Sequence, residues 1–293
     1  MRKNLGPLFV LCSAVLMSFG GLMIKAIPWG AMAVNGGRNL VAAGFTLAGI
    51  YLSGGRLKTN RAVLGCAACI ATCCVTYTLA VRLTTAANAI VLQYTSPVFI
   101  ILYLALFFKQ KPRRADLLAC AVVFAGMVCF FLESLSAGGM GGNVLALVAA
   151  ATYAIVFMVN LFPGADSMSS YFWAQVMGAA VGLPWLLTEP NQSAGSWLAI
   201  LLMGAVQISL AYQLMSRGLK TTRPVAANLI CMTEPILNPL WVAVFYGETM
   251  GPLAVLGMVV VTIMLLVSLN KTRKLYNAYR MLRPQSNNGG PEF

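Results

Sequence analysis

One acid in this chain stands where chemistry could be done inside an apolar helix. Glu234 is followed by Pro235, and Cys231, Asn238 and Trp241 share its stripe at helical steps of three, four and seven. A carboxyl at membrane depth is costly and is a functional candidate by default. It can exchange a proton with substrate, oppose the charge of an amine, or pair with a buried cation. Arg38, eight residues inside its own apolar run, is at a depth that allows such pairing. Lys25 is closer to a helix end, where a long side chain can snorkel its ammonium to the interface. Arg38 and Glu234 facing one wet cavity would suit an amino acid zwitterion. An aromatic cage beside Glu234 with Arg38 turned away would suit a cationic amine.

Other polar and aromatic residues extend the candidate set. Gln93, Ser96, Ile100 and Tyr103 make a second stripe at helical spacing, while Tyr77, Tyr153, Gln207 and Tyr212 stand in further apolar runs. The expected substrate-binding residues are therefore Glu234, Asn238, Trp241, Tyr77, Gln93, Ser96, Tyr103, Tyr153, Gln207, Tyr212 and Arg38, with Glu234 also the proton-coupling group. Trp173 and Gln175 are further cavity candidates. For each polar member the plainer role is to join helices by hydrogen bonds, worth about 0.6 kcal/mol each. Pro97 and Pro235 lack an N–H and crowd the preceding turn, so they are expected bends.

The elements that must hold these residues are membrane helices. Hydrophobic residues make up 59% of the 293 and charged residues only 9%, which excludes an ordinary soluble domain. Ten apolar runs of about 20 residues are marked out: 6–27, 30–53, 62–81, 86–108, 115–135, 142–162, 168–188, 196–216, 224–246 and 251–270. Punctuators such as Pro28-Trp-Gly30, Ser53-Gly-Gly55, Pro163-Gly164 and Gly251-Pro252 supply the turns. With a cytoplasmic amino terminus, 17 of the 20 Lys and Arg fall on the inner side, leaving Arg82 outside and Lys25 and Arg38 within helices. The net charge of +13 thus belongs to short membrane loops and not to a nucleic-acid surface.

The chain also repeats itself. Tyr77-Thr-Leu-Ala-Val-Arg82 answers Tyr212-Gln-Leu-Met-Ser-Arg217 at an offset of 135, each followed by a Thr pair, and Ser96-Pro97 answers Glu234-Pro235 at 138. Five helices per half is odd, so the second copy must be inverted. The expected fold is an all-α integral membrane protein of ten transmembrane helices in two inverted five-helix repeats. Residues 1–135 form the first repeat, 136–270 the second, and 271–293 a basic cytoplasmic tail.

At these positions the chain resembles a known family. Phe107-Phe-Lys-Gln-Lys-Pro112 and Phe245-Tyr-Gly-Glu-Thr249 look like two copies of the helix end of the EamA family of the drug/metabolite transporter superfamily. Glu234-Pro235 resembles the family's Glu-Pro in the ninth helix, and Arg38 falls where its second helix carries Arg. Gln110 stands where the first copy of the helix end has Glu. The resemblance implies a central cavity lined mainly by helices 1, 3, 4, 6, 8 and 9. It further implies small-metabolite transport, often as export. The basic residues place both termini on the cytoplasmic side of the cell membrane, and the chain as a whole is expected to move a small polar or amphipathic metabolite, amino acid-like or an amine, by alternating access.

Rival chemistries find little support. Cys66, Cys69 and Cys73 share a helix face, yet the chain has no His, and a free Cys behaves as a small buried hydrophobe, so no metal site and no cofactor are expected. Without a phosphate loop or an acid pair at catalytic spacing, an enzyme is not expected either. An uncoupled facilitator and a quaternary-ammonium carrier remain open beside the proton-coupled exporter. The partners expected are a small-molecule substrate, lipid and a proton, without nucleic acid.

Overall fold

A computed structural model describes residues 5–25, 27–132, 135, 139–190, 192–246 and 251–264; the side chains of Ile24, Lys25, Pro239, Val242 and Tyr246 lie outside that set. Among the described residues the chain is helical, with no strand. The first apolar run is α1 (Gly6–Ser18) and α2 (Gly20–Lys25), followed by α3 (Ala31–Leu52) and α4 (Arg61–Leu83). The fourth is α5 (Ala86–Gln93) and α6 (Ser96–Phe108), then come α7 (Arg114–Phe131), α8 (Met140–Met158) and α9 (Ser167–Leu187). The eighth is α10 (Ala194–Leu202), a π-helical stretch (Met203–Leu210) and α11 (Ala211–Leu219). The ninth is α12 (Pro224–Cys231) and α13 (Thr233–Tyr246), and α14 (Pro252–Met264) begins the last.

Side-chain caps start several helices. Asn60, Thr85, Asp166 and Ser193 accept from backbone N–H groups three residues on, at 2.9, 3.1, 2.8 and 3.2 Å. Among the described residues six helices are long and apolar enough to cross a membrane, including Ala86–Phe108, Ala194–Leu219 and Pro224–Phe245 taken as continuous spans. α3 and α9 have the length but are too polar to qualify, because α3 carries Asn35, Arg38 and Asn39 and α9 carries Ser167, Ser169, Ser170 and Gln175. These two helices lie along each other, and Asn35 and Asn39 meet α9 at Gly178. Gly36 and Gly182 permit the approach, since a Cβ on Gly182 would sit 2.5 Å from the Gly36 Cα.

The helices are interrupted just before both prolines expected to bend them. α5 stops at Gln93 and α6 restarts at Ser96-Pro97; α12 stops at Cys231 and α13 restarts just before Glu234-Pro235. A hydroxyl serves a loosened carbonyl at each break: Thr95 Oγ1 donates to Leu92 O (2.7 Å) and Thr233 Oγ1 to Ile230 O (2.8 Å). A third break, at Phe19 between α1 and α2, has no proline to announce it and precedes Gly20-Gly21.

The packing pairs are related by exchange of the two halves. α1 packs on α11 as α4 packs on α8, and α4 on α9 as α3 on the π-helical stretch. α5 and α6 lie on α8 as α12 and α13 lie on α1, while α3 pairs with α9. The contacts match down to residues: a Cβ on Gly6 would strike Thr221, and one on Gly142 would lie 2.6 Å from Thr84 N. The largest apolar cluster fills the end where α1 begins and α11 finishes, with Val10, Ala14, Tyr171, Met215 and Ile230 fully or almost fully buried.

Candidate functional site

A cavity of about 180 Å³ lies among the middle segments of the bundle. Its walls carry both a carboxyl and a guanidinium, from Glu234 on α13 and Arg38 on α3. No ion pair joins these two among the described residues. Tyr94 lines the same cavity as these two charged groups.

Glu234 is presented by the break before it. With α12 ended at Cys231, the first turn of α13 carries the carboxyl into the cavity together with Pro235 and Asn238. Arg38 is held by an asparagine cluster. Its Nη2 donates to Asn35 Oδ1 (3.2 Å), which also accepts from Asn39 Nδ2 (3.0 Å), and Asn35 Nδ2 reaches Gly178 O on α9 (3.4 Å). Gly178 leaves the room this needs, because a Cβ there would sit 3.1 Å from Asn39 Nδ2. Arg38 Nε is buried with no protein partner, so the guanidinium keeps a donor in reserve.

Aromatic and amide groups complete the enclosure. Tyr77, Tyr94, Tyr153 and Tyr212 line the cavity. The Tyr94 and Tyr153 rings meet edge to face at 6.3 Å. Tyr212 rests on Tyr171 with centroids 4.5 Å apart, and the Tyr171 hydroxyl donates to Val156 O (2.9 Å), making a floor at the apolar-cluster end. Gln93 Nε2 lies 3.7 Å from Cys73 Sγ. Gln207, on the π-helical stretch, donates to Met17 O (3.1 Å) and leaves its Oε1 buried and unpartnered. π-helical turns often accompany functional sites because they re-aim a side chain, and here the one turned inward is an amide.

The expected set is brought together in large part. Glu234, Arg38, Asn238, Tyr77, Gln93, Tyr153, Gln207 and Tyr212 line the cavity, whereas Ser96, Tyr103 and Trp241 do not. Ser96 is fully buried and accepts from Asn228 Nδ2 at 2.9 Å. Tyr103 packs between Phe99 and Phe107. Trp241 donates to Ser18 Oγ (2.9 Å) and stacks on Phe19 at 4.8 Å, closing the break in the first run. Of the helix 7 candidates, Trp173 Nε1 bonds Lys58 O (3.2 Å), and Gln175 is buried away from the cavity with both amide atoms unpartnered. The Lys25 side chain, Glu133, residues 247–249 of the second helix-end motif and the tail from 271 lie outside the described residues.

Sequence reasoning missed three participants. Tyr94 and Asn39 are cavity residues and Asn35 is the anchor of Arg38; helix 2 thereby joins the lining expected from helices 1, 3, 4, 6, 8 and 9. The signal was present in the two Asn flanking Arg38 at steps of three and one. Among the described residues no three His, Cys, Asp or Glu side chains come together to hold a metal ion.

A helical multi-pass membrane protein with a polar cavity among its helices has the architecture a transporter needs, and the comparisons supply the class. The profile of the EamA-like transporter family matches residues 4–132 and again 140–270. A protein of Archaeoglobus fulgidus named an uncharacterized transporter is 26% identical over 203 residues, 68% of this chain and 73% of that one. A protein of known crystal structure shares the fold, with a TM-score of 0.79, 17% identity, and 94% of this chain and 99% of that chain covered. The chain belongs to the EamA-like transporter family, within the drug/metabolite transporter superfamily. It is a membrane transporter.

Proposed function

We propose that this transporter is a ten-span carrier of two inverted five-helix repeats, residues 1–135 and 136–270, that moves a small amino acid-like zwitterion by alternating access. The observation that carries the substrate class is the unpaired placement of Glu234 and Arg38 on one cavity. A half-buried carboxyl and guanidinium that do not satisfy each other are poised for a ligand that brings the two complementary charges. Tyr77, Tyr94, Tyr153 and Tyr212 then pack the substrate's body. The cavity's about 180 Å³ is below the roughly 300–1,000 Å³ of drug-sized sites, which favours a small metabolite over the multidrug alternative.

Two matches to the family profile and the paired helix contacts support the inverted-repeat reading. In our reading both termini are cytoplasmic in the cell membrane, net movement is export, and the conformation described here is closed at the cytoplasmic end by the Tyr171 cluster. Pro97 and Pro235 are the bends on which the halves rock. Glu234 couples the cycle by holding the substrate amine in one half and a proton in the return.

Thermal-shift measurements on the purified protein test the substrate class, because a ligand that binds only the folded state raises its midpoint. Amino acids should raise it, and the matching amines and carboxylic acids that carry one charge should do so weakly. A quaternary ammonium compound that stabilises as well as any amino acid would establish the multidrug alternative.

A further inference from the structure

A second polar cavity, of about 350 Å³, opens at the end of the bundle opposite the Arg38 end of α3. It is formed where α3 finishes, α9 begins and α11 finishes, and four basic residues converge on it: Arg56 and Lys58 from the loop after α3, Arg217 and Lys220 from the end of α11. The acid there, Asp166, is engaged as the cap of α9, accepting from Ser169 N at 2.8 Å. Four cations thus surround a space with one occupied carboxylate to answer them. Gln213 and Ser216 line the same wall. Gln213 is fixed, with Nε2 on Ser209 Oγ (3.2 Å) and its amide lying over Gly49, where a Cβ would come within 2.7 Å.

A scatter of positive loop residues serves topology and needs no cavity; Lys109 and Arg114 are of that kind. The four here differ because two separate segments, 159 or more residues apart in sequence, deliver them to one concave space. Concave sites with several Lys and Arg donors select phosphate groups, whose oxygens accept from more than one cation at once. Basic pockets between membrane helices at the interface take the headgroups of anionic lipids by the same chemistry.

We propose that this cavity binds a phosphate monoester or diester, supplied by an anionic phospholipid headgroup or by a soluble phosphate, and that it is a site separate from the central cavity. Arg217 and Arg56 grip the phosphate, Lys58 and Lys220 neutralise it, and Gln213 contributes an amide. The occupant bridges the loop after α3 to the end of α11, so binding ties the two halves together at this end.

The test uses the full-length purified protein in neutral detergent. Dihexanoyl phosphatidic acid and inorganic phosphate are each titrated, with dihexanoylglycerol as the uncharged, phosphate-free control, and the unfolding midpoint is followed. Stabilisation by phosphatidic acid alone assigns a lipid headgroup; stabilisation by inorganic phosphate as well assigns a soluble phosphate. Replacing Arg56, Lys58, Arg217 and Lys220 by Gln should weaken half-saturation at least about 100-fold, given the loss of four interfacial cations. The same change at Lys109, Lys111, Arg113 and Arg114 should leave it within about threefold. Amine acetylation of the unmodified protein gives a readout that needs no variant. At ten times half-saturation, labelling of Lys58 and Lys220 should slow roughly tenfold relative to Lys109 and Lys111. Equal stabilisation by dihexanoylglycerol, or unprotected Lys58 and Lys220, would overturn the site.

Discussion

The break between α5 and α6 and the break between α12 and α13 are the same device used for two purposes. Both have a threonine hydroxyl on a carbonyl three residues back, both restart within two residues of a proline, and both lie in equivalent runs of the duplication. At the first, the residue before the proline is Ser96, sealed by Asn228. At the second it is Glu234, which faces the cavity beside Tyr94. Duplication supplies the bend twice, and only one copy is given a charge. A symmetric scaffold can therefore move as two equal halves while its chemistry stays one-sided.

The largest effect should come from forcing the two breaks to be alike. Ser96→Glu would put an unpaired carboxylate into a sealed site at a cost of about 3–5 kcal/mol, so the unfolding midpoint should collapse or the protein fail to accumulate. Glu234→Ser, the reverse exchange, should remain folded, as judged by an unchanged elution profile in detergent. Next in size is function: Glu234→Gln should lower transport in proteoliposomes at least about 30-fold, the scale expected when one partner of a desolvated charge contact is removed. Ser96→Ala should keep transport within about twofold. An imposed proton gradient should drive transport by the unmodified protein, and Glu234→Gln should abolish that dependence.

Smaller effects separate packing from chemistry. Asn228→Ala removes a buried interhelical hydrogen bond and should cost about 1 kcal/mol in the thermal midpoint while leaving substrate affinity intact. Thr95→Val and Thr233→Val should each cost about 0.6 kcal/mol. Equal losses at the two threonines would bear out the structural equivalence of the breaks, and a loss at one alone would break it.

How far the chain could be read in advance follows the same line. The helical, apolar character of the chain was legible because apolar length and Gly or Pro punctuation are local signals, although among the described residues six helices are long and apolar enough to cross a membrane; the helix interruptions beside Pro97 and Pro235 were legible because proline removes an N–H. Helical spacing was extended through the break at Tyr94–Thr95 as if the helix were continuous. The restart resets the phase, so Gln93 and Tyr94 face the cavity while Ser96 and Tyr103 turn elsewhere. Trp241 shares one unbroken helix with Glu234 at a step of seven, yet its indole seals the proline-free break at Phe19, which only a tertiary contact reveals. Arg38 was found because charge in an apolar run is conspicuous. Its anchor Asn35 was not, since an asparagine there is equally consistent with plain helix packing.

Selectivity in charge-removed variants tests the zwitterion site most directly. Binding of one amino acid, its decarboxylated amine and its deaminated acid would be measured by calorimetry for the unmodified protein, Arg38→Gln and Glu234→Gln. The account predicts that Arg38→Gln binds the amine at least as well as the amino acid, that Glu234→Gln does so for the acid, and that the unmodified protein prefers the amino acid over both. The same order of preference in all three proteins would contradict it and return Arg38 and Glu234 to structural roles.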